Sequence, residues 1–302
     1  MVKQVGNVDG VIDALENSRI PVADRGFLYG DSVYEVFRTY HGLPFLFEEH
    51  YQRLLNSAAL IGMDIRQSRE QILTSIRETV AASKPMLGED VYVRYQITRG
   101  EGPIDLNPDL SESTRMVIIV KAVPKWQQQH YDVGMSLAVT QLRRNSVNSL
   151  DPNIKGGNYL NNIMALSEAR KNGADDCVML DAEDLVTECS NSNVWFVLND
   201  TLVAPVAGNL DGLTRRSVVE LATGNDLPLA QRPVHRDELV DAQECFVTSA
   251  TREVMPVKTL RLVDGSMVEF ENGGGPLTRM VMSLYAEMLN DFVAHNTESP
   301  WF

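Results

Sequence analysis

The sequence predicts an α+β protein made of two domains. Its 302 residues are about twice the usual length of a single domain. Hydrophobic residues make up 44% and charged residues 23%, which is ordinary for a globular protein with a real core. Short β-rich segments alternate with segments of helical periodicity along the chain. We expect a smaller N-terminal α/β domain over 1–123, a linker over 124–134 and a larger C-terminal domain with a mixed sheet over 135–302.

The first domain is predicted to begin with short strands and to continue through two helices into further strands. A β-rich run is followed by the turn His41-Gly42, and the second helix ends before Pro85, since helical backbone is disfavoured ahead of a proline. The predicted elements are a strand over 33–40, helices over 47–61 and 69–83, and strands over 91–98 and 116–123. Residues 124–134 include three successive glutamines and have the weakest pattern, which favours a linker.

The second domain is predicted to alternate strands and helices. Its predicted elements are strands over 135–142, 177–181, 185–187, 194–198 and 246–249, and helices over 159–172, 214–223 and 276–293. Asn199-Asp200 is a turn signal, and Asp211-Gly212 opens the helix at 214. On the first of these helices, the apolar residues on or near one face are Leu160, Ile163, Met164, Leu166 and Ala169. We expect mixed sheets in both domains.

Charge and cysteine usage exclude several function classes. The net charge of −14 argues against nucleic-acid binding, which requires a basic face. Three cysteines, far apart and without CxxC spacing, favour neither disulfides nor a zinc site. No GxGxxG or Walker loop follows a predicted strand, so a dinucleotide or nucleoside-triphosphate fold is unsupported. Residues 1–26 lack the apolar stretch of a secretory signal, and we expect a cytoplasmic protein without a membrane partner.

Six sequence blocks carry the functional signal. They are DRGFLYGD with VYE (24–31 and 33–35), EHYQRL (49–54), DPNIKGGNYLNN (151–162), TECSNSN (187–193), DGLTRR (211–216) and EVMPV (253–257). In the third block, Lys155 precedes two glycines, which allow close approach of backbone and ligand. Taken alone, a lysine in a glycine-rich turn is weak evidence, because most lysines are solvated. All six blocks lie between Pro21 and Arg279, and they follow one another in the order that a known family has.

In these blocks the chain resembles the class IV aminotransferases, which are fold-type IV enzymes that use pyridoxal 5′-phosphate (PLP). The family includes branched-chain and D-amino acid aminotransferases, (R)-amine transaminases and aminodeoxychorismate lyases. The resemblance implies the two-domain fold-type IV architecture and a homodimer. It also implies that Lys155 is the catalytic residue, which forms the Schiff base with PLP and moves a proton between the substrate α-carbon and C4′ of the cofactor. Such a lysine must spend time as a neutral amine, a state that burial and nearby positive charge favour.

The resemblance assigns the cofactor contacts residue by residue. Glu188 resembles the carboxylate that pairs with the protonated pyridine nitrogen and keeps the ring an effective electron sink. Arg53 resembles the phosphate anchor, and Leu213 and Thr214 begin a helix whose N-terminus favours a phosphate dianion. Tyr159 is expected near the 3′-oxygen of the cofactor, although an aromatic residue opening a helix can equally be packing. Further cofactor contacts are implied for Ser190, Asn191, Ser249, Ala250 and Thr251.

The turn before the EVMPV block departs from the family pattern. Many relatives carry a threonine there that donates to the phosphate, whereas this chain has Ser249-Ala250-Thr251-Arg252. Depending on the register, Ser249 or Thr251 takes over this contact, or it is lost. Arg252 either binds a substrate carboxylate or pairs with the neighbours of Glu253, and both alternatives stay open at this point.

Four of the five expected substrate-binding residues lie on two predicted strands. Tyr92-Val93-Arg94 resembles the Tyr-x-Arg strand of branched-chain aminotransferases, and Arg38 matches an arginine of their pocket. Tyr34 and Val36 stand where those enzymes prefer Phe and Gly. After Thr98-Arg99-Gly100 the chain lacks the Arg-x-His carboxylate trap of the best-known D-amino acid aminotransferases. The expected substrate-binding residues are Tyr34, Arg38, Tyr92, Arg94 and Arg252.

The resemblance therefore implies a transaminase that moves an amino group from an amino acid, with a branched-chain-like L-amino acid favoured, to a 2-oxo acid. Two enzyme alternatives are a D-amino acid or (R)-amine transaminase and an aminodeoxychorismate lyase. An alternative of another class is a member of the family that has lost catalysis. Retention of Lys155, Glu188 and Arg53 together argues against this last alternative.

Overall fold

The chain folds into two compact units. The computed structural model describes residues 2–86, 89–296 and 301. The first unit comprises Met1–Pro124, Ile154–Asn158 and Asp291–Phe302, and the second comprises Lys125–Asn153 and Tyr159–Asn290. The domain bounds 1–123, 124–134 and 135–302 stay a prediction, and their outermost residues, Met1 and Phe302, lie outside the described part of the chain.

The first unit contains a six-stranded sheet in the order β2-β1-β6-β5-β3-β4. Its strands are β1 (Val5–Val8), β2 (Val11–Ala14), β3 (Ser32–Tyr40), β4 (Leu43–Pro44), β5 (Val91–Thr98) and β6 (Arg115–Ala122), and its helices are α1 (Arg25–Tyr29), α2 (Phe47–Leu60) and α3 (Arg69–Ser83). Every neighbouring pair in this sheet is antiparallel, so the prediction of a mixed sheet is wrong for this unit. The two hairpins, β1-β2 and β3-β4, have two-residue connections, which only antiparallel strands allow.

One face of this sheet packs against α2 and α3. Side chains alternate between the two faces of a strand, and Val33 and Phe37 of β3 join Leu54 of α2 and Ile76 of α3 in a buried core. On β5, every second residue from Val91 to Ile97 belongs to the same core. The residues between them on β3 and β5 therefore point to the opposite face of the sheet, where the predicted substrate-binding side chains of this unit lie.

The segment Ile154–Asn158 adds to the edge of β3. Tyr34 N–H donates to the Lys155 carbonyl oxygen at 2.9 Å, and Gly157 N–H donates to the Ser32 carbonyl oxygen at 2.9 Å. A Cβ atom at Gly157 would stand 2.3 Å from the Ser32 hydroxyl oxygen, so only glycine fits this close approach. The glycine-rich sequence after Lys155 thus fixes that residue against the sheet.

The second unit contains an eight-stranded sheet in the order β11-β10-β9-β12-β13-β7-β8, with β14 paired to β13. Its strands are β7 (Met135–Arg143), β8 (Asp176–Leu180), β9 (Asn193–Leu198), β10 (Thr201–Ala204), β11 (Leu229–Gln231), β12 (Glu244–Ser249), β13 (Glu253–Arg261) and β14 (Met267–Glu269). Its helices are α4 (Gln128–Asp132), α5 (Leu160–Lys171), α6 (Leu213–Gly224) and α7 (Pro276–His295). Parallel pairs β7-β8, β7-β13 and β10-β11 lie among antiparallel ones, so this sheet is mixed, as predicted.

Most elements predicted for this unit are confirmed, but the strands β10, β11, β13 and β14 were not predicted, and three expectations differ from the structure. Within the predicted strand over 185–187, Leu185 pairs with His235 and Val186 with Leu180 in isolated bridges, so no continuous strand forms. The predicted linker includes α4, whose Tyr131 packs against the main core. Among the apolar residues predicted on one face of α5, Leu160 and Ile163 are largely exposed. The turn Asn199-Asp200 is confirmed, with positive φ at both residues, as a two-residue hairpin requires.

Candidate active site

In the first unit, Lys155 is held to two elements through its backbone and reaches back toward β3 with its side chain. Its N–H donates to the Ser57 hydroxyl of α2 at 3.1 Å, and its carbonyl accepts from Tyr34. The Nζ atom lies 3.4 Å from the Tyr34 hydroxyl oxygen and 4.6 Å from the centre of the Tyr34 ring. The amine is therefore presented from a rigid backbone and is only partly buried.

Arg53 lies in a buried cluster with Glu35 and His50. Its Nε and Nη2 atoms donate to the two Glu35 carboxylate oxygens at 2.7 and 2.9 Å, and His50 Nδ1 lies 2.7 Å from the same carboxylate. Burial raises the pKa of Glu35, but the charge and hydrogen bonds of Arg53, and then those of His50, lower it by more. Together they hold that pKa far below its usual range. Burial lowers the pKa of His50, against the opposing influence of Glu35. Arg53 is thus a fixed guanidinium, as an anion anchor requires.

Glu35 was not singled out from the sequence. A signal was present, because Glu35 lies on β3 between Val33 and Phe37, whose side chains face the core. By strand alternation Glu35 must face the same way, and a buried carboxylate requires a cationic partner. The arginine of the EHYQRL block on the next helix was the available partner.

The four predicted substrate-binding residues of the first unit lie on one face of its sheet. In the β3-β5 register, Arg38 is opposite Tyr92, and Arg94 is opposite Val36. The Arg94 guanidinium stacks 3.6 Å from the centre of the Tyr34 ring and donates to Gln96 at 2.8 Å. Burial raises the pKa of Tyr92, opposed by the neighbouring Arg94.

The two arginines of this face differ in their partners. Arg38 lies 3.8 Å from Asp90 and stacks over the Tyr40 ring at 4.3 Å. Within the described residues, Arg94 makes no ion pair with an acidic side chain. Its positive charge is therefore available to a carboxylate that comes from outside the chain.

In the second unit, Glu188 is a buried carboxylate paired with an arginine. Hydrogen bonds between Met179 and the backbone of Thr187 and Glu188 place the residue beside β8. Arg144 Nη2 donates to Glu188 Oε1 at 2.7 Å, and Leu210 N–H donates to Oε2 at 3.1 Å. The sequence did not single out Arg144, which follows β7 directly and has no local pattern that connects it with a residue 44 positions later.

The residues after Glu188 are held by a hydrogen-bond chain from Arg144. Arg144 Nη1 donates to the Asn162 side chain at 3.0 Å, and Asn162 donates in turn to the Ser190 carbonyl oxygen at 2.9 Å. Ser190 is buried and Asn191 is exposed. The segment 188–190 is thereby fixed from α5 and from the end of β7.

The structure distinguishes the two alternatives for Arg252 by its partners. Its Nη2 atom lies 3.0 Å from the fully buried Asp176, and its Nη1 atom donates to Asn191 and to Ser192. The guanidinium also stacks over the Trp126 ring at 4.6 Å. These contacts favour a structural ion pair over a substrate-binding role, and the partner is Asp176 rather than a neighbour of Glu253.

The helix α6 begins with backbone donors that no described side chain caps. Its N-cap residue is Gly212, and Leu213 and Thr214 form the first turn and are buried. A Cβ atom at position 212 would stand 2.0 Å from Asn193 Oδ1, so a side chain there would displace the Asn193 amide. Free N–H groups at the start of a 12-residue helix, together with its dipole, favour an anion.

The turn between β12 and β13 carries the remaining predicted cofactor contacts. The Ser249 hydroxyl accepts from Arg252 N–H at 3.2 Å and keeps its own proton for donation. The Thr251 carbonyl accepts from Trp126 Nε1 at 2.9 Å. Ala250 lies in the turn and is half-buried. Tyr159 is the N-cap residue of α5 and is also half-buried.

Comparison with known proteins agrees with the resemblance of the six sequence blocks. The family model described as amino-transferase class IV matches residues 32–260, more than half of the chain. D-alanine aminotransferase of Bacillus licheniformis is 32% identical over 272 residues, which cover 87% of this chain and 89% of that protein.

Two solved structures extend the comparison to the whole fold. Branched-chain aminotransferase of Thermoproteus uzoniensis, solved with norvaline, has a TM-score of 0.84 at 28% identity and matches over 95% of both chains. The branched-chain amino acid aminotransferase of T.th., solved with pyridoxamine 5′-phosphate, has a TM-score of 0.83 at 27% identity, over 95% of this chain and 94% of that one. The predicted two-domain fold class is confirmed by these likenesses.

Proposed function

The chain belongs to the class IV aminotransferase family and is a PLP-dependent aminotransferase, and from this premise we propose that its preferred amino donor is a branched-chain-like L-amino acid. The single observation that supports this donor class most directly is the Arg94 guanidinium. It lies on the same sheet face as Tyr34 and Tyr92 and makes no ion pair with an acidic side chain in the part of the chain that the structure describes. An arginine next to tyrosine hydroxyls can bind a carboxylate, and apolar neighbours such as Val36 accept an aliphatic side chain.

The donor groups of the chain fit PLP. In the second unit, the N–H groups of Leu213 and Thr214 at the start of α6 suit a phosphate dianion. In the first unit, the fixed guanidinium of Arg53 also suits an anion. Glu188, a buried carboxylate, suits a protonated pyridine nitrogen. When bound, PLP supplies an electron-accepting ring that makes the α-hydrogen of an attached amino acid acidic.

Each residue has a distinct task in the proposed mechanism. The Lys155 amine would hold the cofactor, take the proton from the substrate α-carbon and return it to C4′. Arg144 would hold the Glu188 carboxylate in a fixed orientation, since it donates to that carboxylate at 2.7 Å. Arg94 would bind a substrate carboxylate. A 2-oxo acid such as 2-oxoglutarate would then receive the amino group in a second half-reaction.

A D-amino acid donor is the second candidate. The similarity to a D-alanine aminotransferase at 32% identity supports it. Against it stands the stretch after Gly100, which lacks the Arg-x-His trap. An (R)-amine transaminase and an aminodeoxychorismate lyase remain further alternatives, because the same lysine chemistry serves them.

Half-reaction spectra test the donor class. The PLP form is mixed separately with L-leucine, D-alanine and (R)-phenylethylamine, and conversion to the pyridoxamine form is followed by the loss of visible absorption. We expect rapid conversion with L-leucine, and a much weaker response in Arg94→Met because the carboxylate loses its cationic partner. Faster conversion with D-alanine than with L-leucine would refute the proposed donor. Formation of pyruvate and 4-aminobenzoate from aminodeoxychorismate would instead identify a lyase.

A homodimer and a cytoplasmic location are part of the same proposal. Leu160, Ile163 and Met164 on α5 are 64%, 60% and 51% exposed, which is unusual for adjacent large apolar side chains and favours a covered surface. All three cysteines are unpaired thiols, as is usual in a reducing compartment. Light scattering on the purified protein should give the mass of two chains, and Ile163→Glu should shift it toward one. A monomeric wild-type protein would contradict the dimer.

A further inference from the structure

We propose that Tyr34 is a positioning residue for Lys155. Its hydroxyl keeps the Lys155 amine oriented in both protonation states of that amine. This inference rests on the proposed role of Lys155 and adds a second residue to the proton transfer. The four groups involved, Lys155, Tyr34, Arg94 and Ser57, all belong to the first unit.

Tyr34 contacts Lys155 at both ends of that residue. Its backbone N–H donates to the Lys155 carbonyl oxygen at 2.9 Å. Its hydroxyl oxygen lies 3.4 Å from Lys155 Nζ, within hydrogen-bond reach. The backbone of Lys155 is further fixed by its N–H bond to Ser57. With the backbone held, the direction of the long side chain depends mainly on the groups that its amine meets.

The Tyr34 ring is itself held in one orientation. It is 5% exposed, and the Arg94 guanidinium stacks on it at 3.6 Å. Arg94 is fixed in turn by its hydrogen bond to Gln96. A cation on the ring face adds attraction beyond packing. The phenol is therefore a rigid support for a flexible amine.

A phenol suits this task because it both donates and accepts. An ammonium group can only donate, and the Tyr34 oxygen accepts from it. A neutral amine can accept, and the same hydroxyl then rotates its proton toward Nζ. Since Lys155 must alternate between these states while it takes and returns a proton, one hydroxyl serves the whole cycle. A phenylalanine keeps the ring and the Arg94 stack but offers neither interaction.

The matched test compares Tyr34→Phe with Tyr40→Phe in the PLP-loaded enzyme. Tyr40 lies on the same strand, is also buried, and also carries an arginine over its ring, Arg38 at 4.3 Å. Single-turnover half-reactions are measured with L-leucine carrying hydrogen or deuterium at the α-carbon, and the visible circular dichroism of bound PLP is recorded before substrate is added.

We expect Tyr34→Phe to slow the half-reaction about fivefold to tenfold, as loss of one hydrogen bond predicts. The deuterium isotope effect should rise, because proton transfer becomes more fully rate-limiting, and the rate should stay low at saturating L-leucine, where weaker substrate binding no longer limits it. The circular dichroism of bound PLP should change. Tyr40→Phe should match the wild type in all of these measurements.

Several results would overturn the inference. An unchanged rate and isotope effect in Tyr34→Phe would show that the hydroxyl has no part in the proton transfer. A change only in half-saturation would assign it to substrate binding instead. If the wild-type protein itself shows no PLP absorption, the proposed function fails; if it absorbs and Tyr34→Phe is identical to it, only this inference fails.

Discussion

The replacement of Arg252 by methionine separates a structural from a substrate-binding role. The change keeps an apolar stem but removes the charge that pairs with Asp176, a carboxylate without solvent exposure. Removing one partner of a buried ion pair typically costs about 3–5 kcal/mol, because the other charge is left uncompensated. At roughly 2–4 °C per kcal/mol, Tm should fall by roughly 6–20 °C.

The assay is thermal unfolding by differential scanning calorimetry, with steady-state kinetics alongside. A matched control is Arg216→Met, since Arg216 also pairs with an aspartate, Asp211 at 2.7 Å, but is 48% exposed in its side chain. An exposed pair contributes about 0–1 kcal/mol, so this control should leave Tm nearly unchanged. In the double variant with Asp176→Asn, much of the lost stability should return, because neither charge remains.

The result that would refute the structural role is a specific kinetic one. If Arg252→Met keeps the wild-type Tm but raises KM for the amino acid tenfold or more, Arg252 binds substrate. In that case the ion pair with Asp176 contributes little to folding. A loss of stability with unchanged KM is the outcome that the buried contacts predict.

Three further changes have defined outcomes. Glu35→Gln should lower the free energy of unfolding at pH 7. The folded-state pKa of Glu35 lies below its unfolded value. The stability that the ionised carboxylate contributes is therefore present above the unfolded pKa and is lost as pH falls through the folded pKa. Chemical denaturation of the wild type and of Glu35→Gln at pH 7 and pH 3 measures this change. Glu244→Gln should cost about 1–2 kcal/mol, since this carboxylate accepts from the first N–H groups of α7, and a denaturation midpoint that does not move would contradict it. Gly212→Ala should weaken PLP retention during dialysis, because the new Cβ would press on Asn193 at the start of α6, and wild-type retention would count against that phosphate site.

The elements that the sequence predicted well are those with a strong local signal. The helix α3 has apolar residues at helical spacing and follows the N-cap residue Ser68, whose side chain and that of Gln71 form a capping box. The strand β3 is recognisable from its β-branched and aromatic residues. The strand β13 was not predicted, and its Pro256 by itself argues against a central strand. In the structure Pro256 lies opposite Phe246 of β12, and pairing with β7 begins only at Val257, so the β7 pairing does not require an N–H at residue 256.

The residues of the candidate site differ in the same way in how far the sequence predicts them. Lys155, Glu188 and Arg53 could be found because each stands in a block whose order along the chain resembles a family. Their supporting partners could not be found in the same way. Arg144 and Glu188 are 44 residues apart, and Arg252 and Asp176 are 76 apart, with no periodicity that connects them. Such pairs depend on the tertiary path of the chain, which only the fold reveals.

The central claim, that PLP is bound covalently by Lys155, is tested most directly by reductive trapping. The purified protein is incubated with PLP and treated with borohydride, and its peptides are analysed by mass spectrometry. We predict visible absorption before reduction, a phosphopyridoxyl group on Lys155 after it, and neither in Lys155→Ala. A wild-type protein that stays colourless with PLP, or a label on another lysine that persists in Lys155→Ala, would contradict the assignment.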